Sequence, residues 1–93
     1  MAKYYKGDHG TVILVDVKED IRTATSLILK VKKPNATTTV DWVGTLSGIT
    51  KIKYVVKSKD WNVAGTYKLQ AYVVMPGWVG RGDITPFVIE EPL

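Results

Sequence analysis

Apolar residues recur at every second position along most of this chain, and no stretch carries the three-to-four spacing of an amphipathic helix. In Thr11–Val17, Ile13, Val15 and Val17 fall on one face and Val12 and Leu14 on the other. Ala24–Lys33 sets Leu27, Leu29 and Val31 against Ile28, Lys30 and Lys32. Thr38–Thr45 aligns Val40 with Trp42, and Ile49–Lys57 aligns Ile52, Tyr54 and Val56 against lysines. Thr66–Met75 does the same with Tyr67, Leu69, Ala71 and Val73, and Asp83–Glu91 aligns Phe87 with Ile89. A side-chain period of two is that of a strand with one buried face. Turn residues separate the runs about every ten positions, which predicts an all-β sandwich or barrel of about seven strands with a short first one.

The turns have local causes. Pro34 fixes φ at the first corner of Lys32–Asn35, and Asn35 tolerates the second. Asp20 is placed to cap a turn at Thr23, and Leu46–Gly48 reads as a break between strands. Pro86 lacks the donor a central strand needs, so the last run is expected at an edge or bulged. The expected core is Val15, Leu27, Leu29, Val31, Val40, Trp42, Ile52, Tyr54, Val56, Tyr67, Leu69, Ala71, Val73 and Phe87.

With 93 residues the chain makes one domain, residues 1–93, with a single core and little to spare. It has no cysteine, which excludes a disulfide framework, a thiol nucleophile and a zinc–thiolate site. Small extracellular domains often need such staples, so a bacterial cytoplasm is the expected place of synthesis. No apolar segment reads as a secretory leader or a membrane span, and the net charge of +4 is explained by solubility alone.

The stretch Asp60–Leu69 narrows the architecture. An Asp, a small pair Ala64-Gly65, and then Tyr67 opening a strand match the corner at which immunoglobulin-like domains cross from one sheet to the other. There the tyrosine hydroxyl bonds backbone groups upstream. Trp42 takes the place of the core tryptophan of such domains, on the third strand. An immunoglobulin-like antiparallel β-sandwich is therefore the expected fold.

Five segments carry a resemblance: Gly7-Asp8-His9-Gly10-Thr11, Asp20-Ile21-Arg22-Thr23-Ala24-Thr25, Lys32-Lys33-Pro34-Asn35, Ala64–Ala71 and Pro76–Gly80. Together they span nearly the whole chain, which resembles small immunoglobulin-like proteins encoded by bacteriophages and prophages. These are similar in kind to the N-terminal domains of baseplate and tail-fibre proteins. The resemblance implies a non-enzymatic structural or adaptor module, tail- or baseplate-associated and a component of the virion. Its implied partners are other virion proteins, with self-association as a further possibility, and it implies no cofactor. Lys57–Asn62 departs from the pattern, and an exposed Trp61 would be peculiar to this protein.

Other chemistries find little purchase. His9 is the one histidine, beside Asp8 in a glycine-flanked segment, and no serine has a nucleophile context. Asp8, Asp16 and Asp20 lack the spacing of a calcium loop. Lys30, Lys32, Lys51, Lys53 and Lys68 all lie opposite the inward positions, but only Tyr72 shares their register for base stacking. Nucleic acid is therefore a minor alternative to a solvated sheet face, and Trp61, Trp78 and Tyr72 as a sugar-stacking platform form another.

Met75–Asp83 holds three glycines, Pro76, Trp78 and Arg81. It reads as a hairpin loop in which Trp78 folds back as a lid on the core, and secondly as a contact surface. Arg81-Gly82-Asp83 has meaning for receptor binding only at an exposed loop tip. The expected interaction surface is Trp61, Pro76, Trp78 and Arg81, because aromatic and arginine anchors dominate protein interfaces.

Overall fold

The computed structural model describes residues 3–93. It is built of strands: β1 (Tyr4–Tyr5), β2 (Val12–Asp16), β3 (Ser26–Lys32), β4 (Val40–Val43), β5 (Thr45–Ser47), β6 (Lys51–Val55), β7 (Gly65–Met75), β8 (Trp78–Arg81) and β9 (Thr85–Glu90). They form two facing layers. One runs β1-β9-β7-β3-β4, with β8 on the far half of β7, and the other runs β2-β6-β5. All pairings are antiparallel except that of β1 with β9, where Tyr4 and Tyr5 lie parallel to Ile89 and Glu90.

The alternation places the core as read. Leu29 and Val31 of β3, Ile52 and Tyr54 of β6, and Tyr67, Leu69, Ala71 and Val73 of β7 are buried between the layers. Val15, Leu27 and Phe87 are partly buried against them. Val40 is exposed instead, because it lies at the outer end of the edge strand β4. Ile21, Trp61 and Ile89 join the core, Ile21 from a turn pinned by its N–H to the Ile49 carbonyl oxygen (2.9 Å).

Trp42 stands on β4, the third of the long runs as read, and bridges the layers by stacking on Tyr54 at 4.9 Å between ring centroids. The run Thr38–Thr45 is not one strand. It breaks at Gly44, where the chain leaves one sheet for the other, and β5 begins at Thr45 and runs through Leu46 and Ser47 of the supposed break. A side chain at Gly44 would collide with Ile52 Cγ2 and crowd the Lys53 carbonyl oxygen at 3.0 Å, so only glycine lets the backbone pass.

The corners are held by polar groups. The Tyr67 hydroxyl donates to the Val63 carbonyl oxygen at 2.6 Å and accepts the Val63 N–H at 3.3 Å. Asp60 Oδ2 accepts from the Tyr54 hydroxyl at 2.5 Å and from Lys57 N–H at 2.7 Å, tying the same turn to the opposite sheet. Asn35 takes the left-handed corner conformation at φ 61°, and Ala36 N–H closes the turn on the Lys33 carbonyl oxygen. The Asp20 cap goes to Arg22 rather than Thr23. Backbone and guanidinium donors of Arg22 reach its carboxylate, and this hydrogen bonding holds the carboxyl down at a pKa of about 2.

Pro86 is accommodated as the sequence requires. It faces Lys68 on β7, while β1 covers β9 only at Ile89 and Glu90, so no ladder bond is asked of Pro86 on its outer side.

Candidate functional site

The four residues singled out for contact do not share one surface. Trp61 is 1% exposed. It lies between the rings of Tyr4, at 5.3 Å, and Phe87, at 6.4 Å, so the turn after Asp60 tucks its indole into the gap between the sheets. The expected exposed Trp61 is thus a core residue, buried by aromatic neighbours from β1 and β9 that are remote in sequence.

Met75–Asp83 forms a hairpin, as read, and most of it is strand. Its turn is only Pro76-Gly77, with Gly77 at φ 77°, and Met75 pairs directly with Trp78. A fixed φ in Pro76 and a left-handed glycine make this two-residue corner. Strand β8 then runs back along β7, with Val79 beside Val74 and Arg81 beside Tyr72.

Strand alternation sends these side chains to opposite sides. Trp78 shares a side with Met75, and Arg81 shares one with Tyr72. Trp78 is 41% exposed and stands outside the core cluster. Its ring lies over Gly80, where a Cβ would collide with the indole. Trp78 therefore covers its own hairpin and is not a lid on the core. Pro76 is exposed at the tip.

The outer face of the larger sheet gathers the remaining candidates. At its centre, the Tyr72 ring has Arg81 Cζ at 4.6 Å and Lys30 Nζ at 5.3 Å from its centroid. Lys30 also forms an ion pair with Asp41 of β4 at 2.8 Å. Aliphatic side chains surround this group: Ile28 and Val74 are half-buried, while Val43 is 71% and Val79 54% exposed. A ring held between two cations loses little freedom on docking, and its apolar border offers area to bury. Sequence reading found Tyr72 and Arg81 separately. The register that joins Tyr72 to Arg81 across one pair of strands, and to Lys30 through Ile28 and β3, is a tertiary fact.

Other groupings come apart. Lys30, Lys32 and Lys68 lie on the outer face of the larger sheet and Lys51 and Lys53 on the smaller one, so the lysines make no single cationic surface. Tyr72 and Trp78 face opposite ways and Trp61 is buried, so the three rings form no common platform. Arg81 belongs to β8 and Gly82 N–H bonds the Ala71 carbonyl oxygen at 3.1 Å, which places Arg81-Gly82-Asp83 away from the hairpin tip. His9 is exposed. Among the described residues no three His, Asp or Glu side chains stand together as metal ligands, and no helix is long and apolar enough to cross a membrane.

Comparison with protein-family models, curated proteins and solved structures finds no match for this chain.

Proposed function

We propose that the chain is an immunoglobulin-like module of a bacteriophage or prophage, tail- or baseplate-associated, that acts without catalysis by docking on another virion protein. The strand order supports the fold reading. A sheet of β2, β6 and β5 facing one of β9, β7, β3 and β4 follows the two-sheet division of immunoglobulin domains, with β7 as the strand that the tyrosine corner opens. The viral reading rests on the sequence resemblance described above.

The observation that carries the mode of action is the Tyr72 face. A tyrosine fixed by Arg81 and Lys30, bordered by the exposed Val43 and Val79, has the make-up of an interface centre: an aromatic and an arginine amid apolar area. The test is to purify virions from the encoding host and measure the chain in them by mass spectrometry, alongside Val79→Asp and Tyr72→Ala variants. The chain is expected in the particles, and the variants, still folded by circular dichroism, are expected to be depleted about tenfold or more. Absence of the unmodified chain from particles overturns the viral reading. Equal incorporation of the variants overturns the assignment of the face.

A further inference from the structure

The two layers leave one flank open. β2 pairs with β6 and, among the described residues, with no strand on its other edge. In the facing sheet β1 stops short, leaving Thr85–Val88 of β9 bare. Between these edges runs a groove of about 430 Å³ walled by Ile13, Val15, Trp61, Leu69 and Phe87.

The hydrogen-bonding direction along β2 follows from its ends. Val17 N–H donates to the Thr50 carbonyl oxygen and Val56 N–H to that of Thr11, both at 2.9 Å. With Val12–Asp16 registered on Val55–Lys51, the odd-numbered residues bond to β6. Val12, Leu14 and Asp16 then turn their N–H and C=O groups to the bare edge. No proline or lysine blunts this strand, although natural sheet edges commonly carry one.

A second observation is independent of the backbone. Trp61 lines the groove, and its Nε1 is buried with no acceptor. Buried side-chain donors are nearly always satisfied, so this one marks a missing oxygen.

We propose that this flank accepts a strand: an extended segment of another protein, apolar at alternate positions, adds to β2. Its main chain pairs with Val12, Leu14 and Asp16, its inward side chains fill the groove over Leu69 and Phe87, and one of its oxygens accepts the Trp61 Nε1–H. Charge selects its other face. Asp16 stands opposite Lys51, but Lys53 is exposed opposite Leu14 and among the described residues is in no ion pair. An acidic side chain at the outward position of the incoming segment beside Leu14 reaches toward Lys53 across that residue.

A second folded copy does not meet these requirements. Its β2 keeps Ile13 and Val15 turned into its own core, so edge-to-edge pairing of two copies leaves both grooves empty and both indole donors unpaired. An extended segment supplies backbone, side chains and acceptor together.

The probe is a displayed library of random peptides of about twelve residues, long enough to span β2, selected on the full chain. The expected binders are apolar at alternate positions with an acidic residue among the outward ones, slow amide exchange at Val12, Leu14 and Asp16, and shift the Trp61 indole proton. Leu14→Pro removes only the edge-facing donor and is expected to weaken binding about tenfold or more while sparing the β2–β6 ladder. Trp61→Phe leaves the edge intact, deletes the unpaired donor and is also expected to weaken binding. Exchange on the unmodified chain decides the matter even where a variant fails to fold. A library without binders, binders lacking the two-residue period, or protection centred on Tyr72 instead overturns the proposal. Protection of the β2 amides that grows with protein concentration alone also overturns it, in favour of a second copy.

Discussion

Two phenols do structural work that their rings alone would not require. The Tyr54 hydroxyl reaches Asp60 and the Tyr67 hydroxyl reaches Val63, so both sheets are tied to the turn between β6 and β7. Burial raises the Tyr54 pKa well above its ordinary 10.0, and the bond to Asp60 raises it further. Burial also raises that of Tyr67, against the opposing effect of Val63 N–H. Each is therefore protonated in the folded chain at a pH where the unfolded chain begins to ionise. Their contribution to stability is complete below pH 10 and is lost as pH rises through the raised values. Urea midpoints measured between about pH 8 and pH 11 should fall steeply, and Tyr54→Phe should fall less steeply over that window. An equal slope in the variant would remove Tyr54 from the account.

At the level of elements, Gly44 marks where the chain passes from β4 to β5, and Gly80 lies inside β8 under the Trp78 ring. Gly44→Ala sets a Cβ against Ile52 in the core and should cost about 1–3 kcal/mol by urea denaturation, because the crossing chain has nowhere to move. Gly80→Ala also creates a clash, but against the far edge of the half-exposed Trp78 ring. There the indole swings outward. The expected result is a red shift in tryptophan emission with a stability change under about 1 kcal/mol. The contrast is physical: the same added methyl group meets packed core in one strand and a free ring in the other.

The molecule as a whole is tied by pairings between segments far apart in the chain, β3 with β7 and β2 with β6 above all. Loop closure must precede such contacts, so refolding from urea should take milliseconds to seconds by stopped-flow fluorescence. A microsecond refolding phase carrying the full amplitude would contradict this topology. Much of this architecture was legible in the sequence because burial on one face of a strand writes itself as a period of two. Leu29, Val31, Ile52, Tyr67 and Val73 were all readable on that ground. What depends on the meeting of distant segments was not. Trp61 reads as a loop aromatic until Tyr4 and Phe87 enclose it, and β5 reads as a break until Gly44 carries the chain across to β6. The Tyr72 group was half legible: its residue types were apparent, but not the register that sets Arg81 and Lys30 on one ring.

The parallel seam of β1 on β9 has a mechanical meaning. Tension drawn backward through Tyr4 and forward through Glu90 slides the two strands along one another, so the bonds there are loaded side by side in shear. The seam spans only two residue pairs plus the bond from Lys6 N–H to the Glu90 carbonyl oxygen. Under stretching it would yield before the long β3–β7 ladder, and the first ring to leave would be Tyr4, baring one side of Trp61 while the rest of the sandwich still holds.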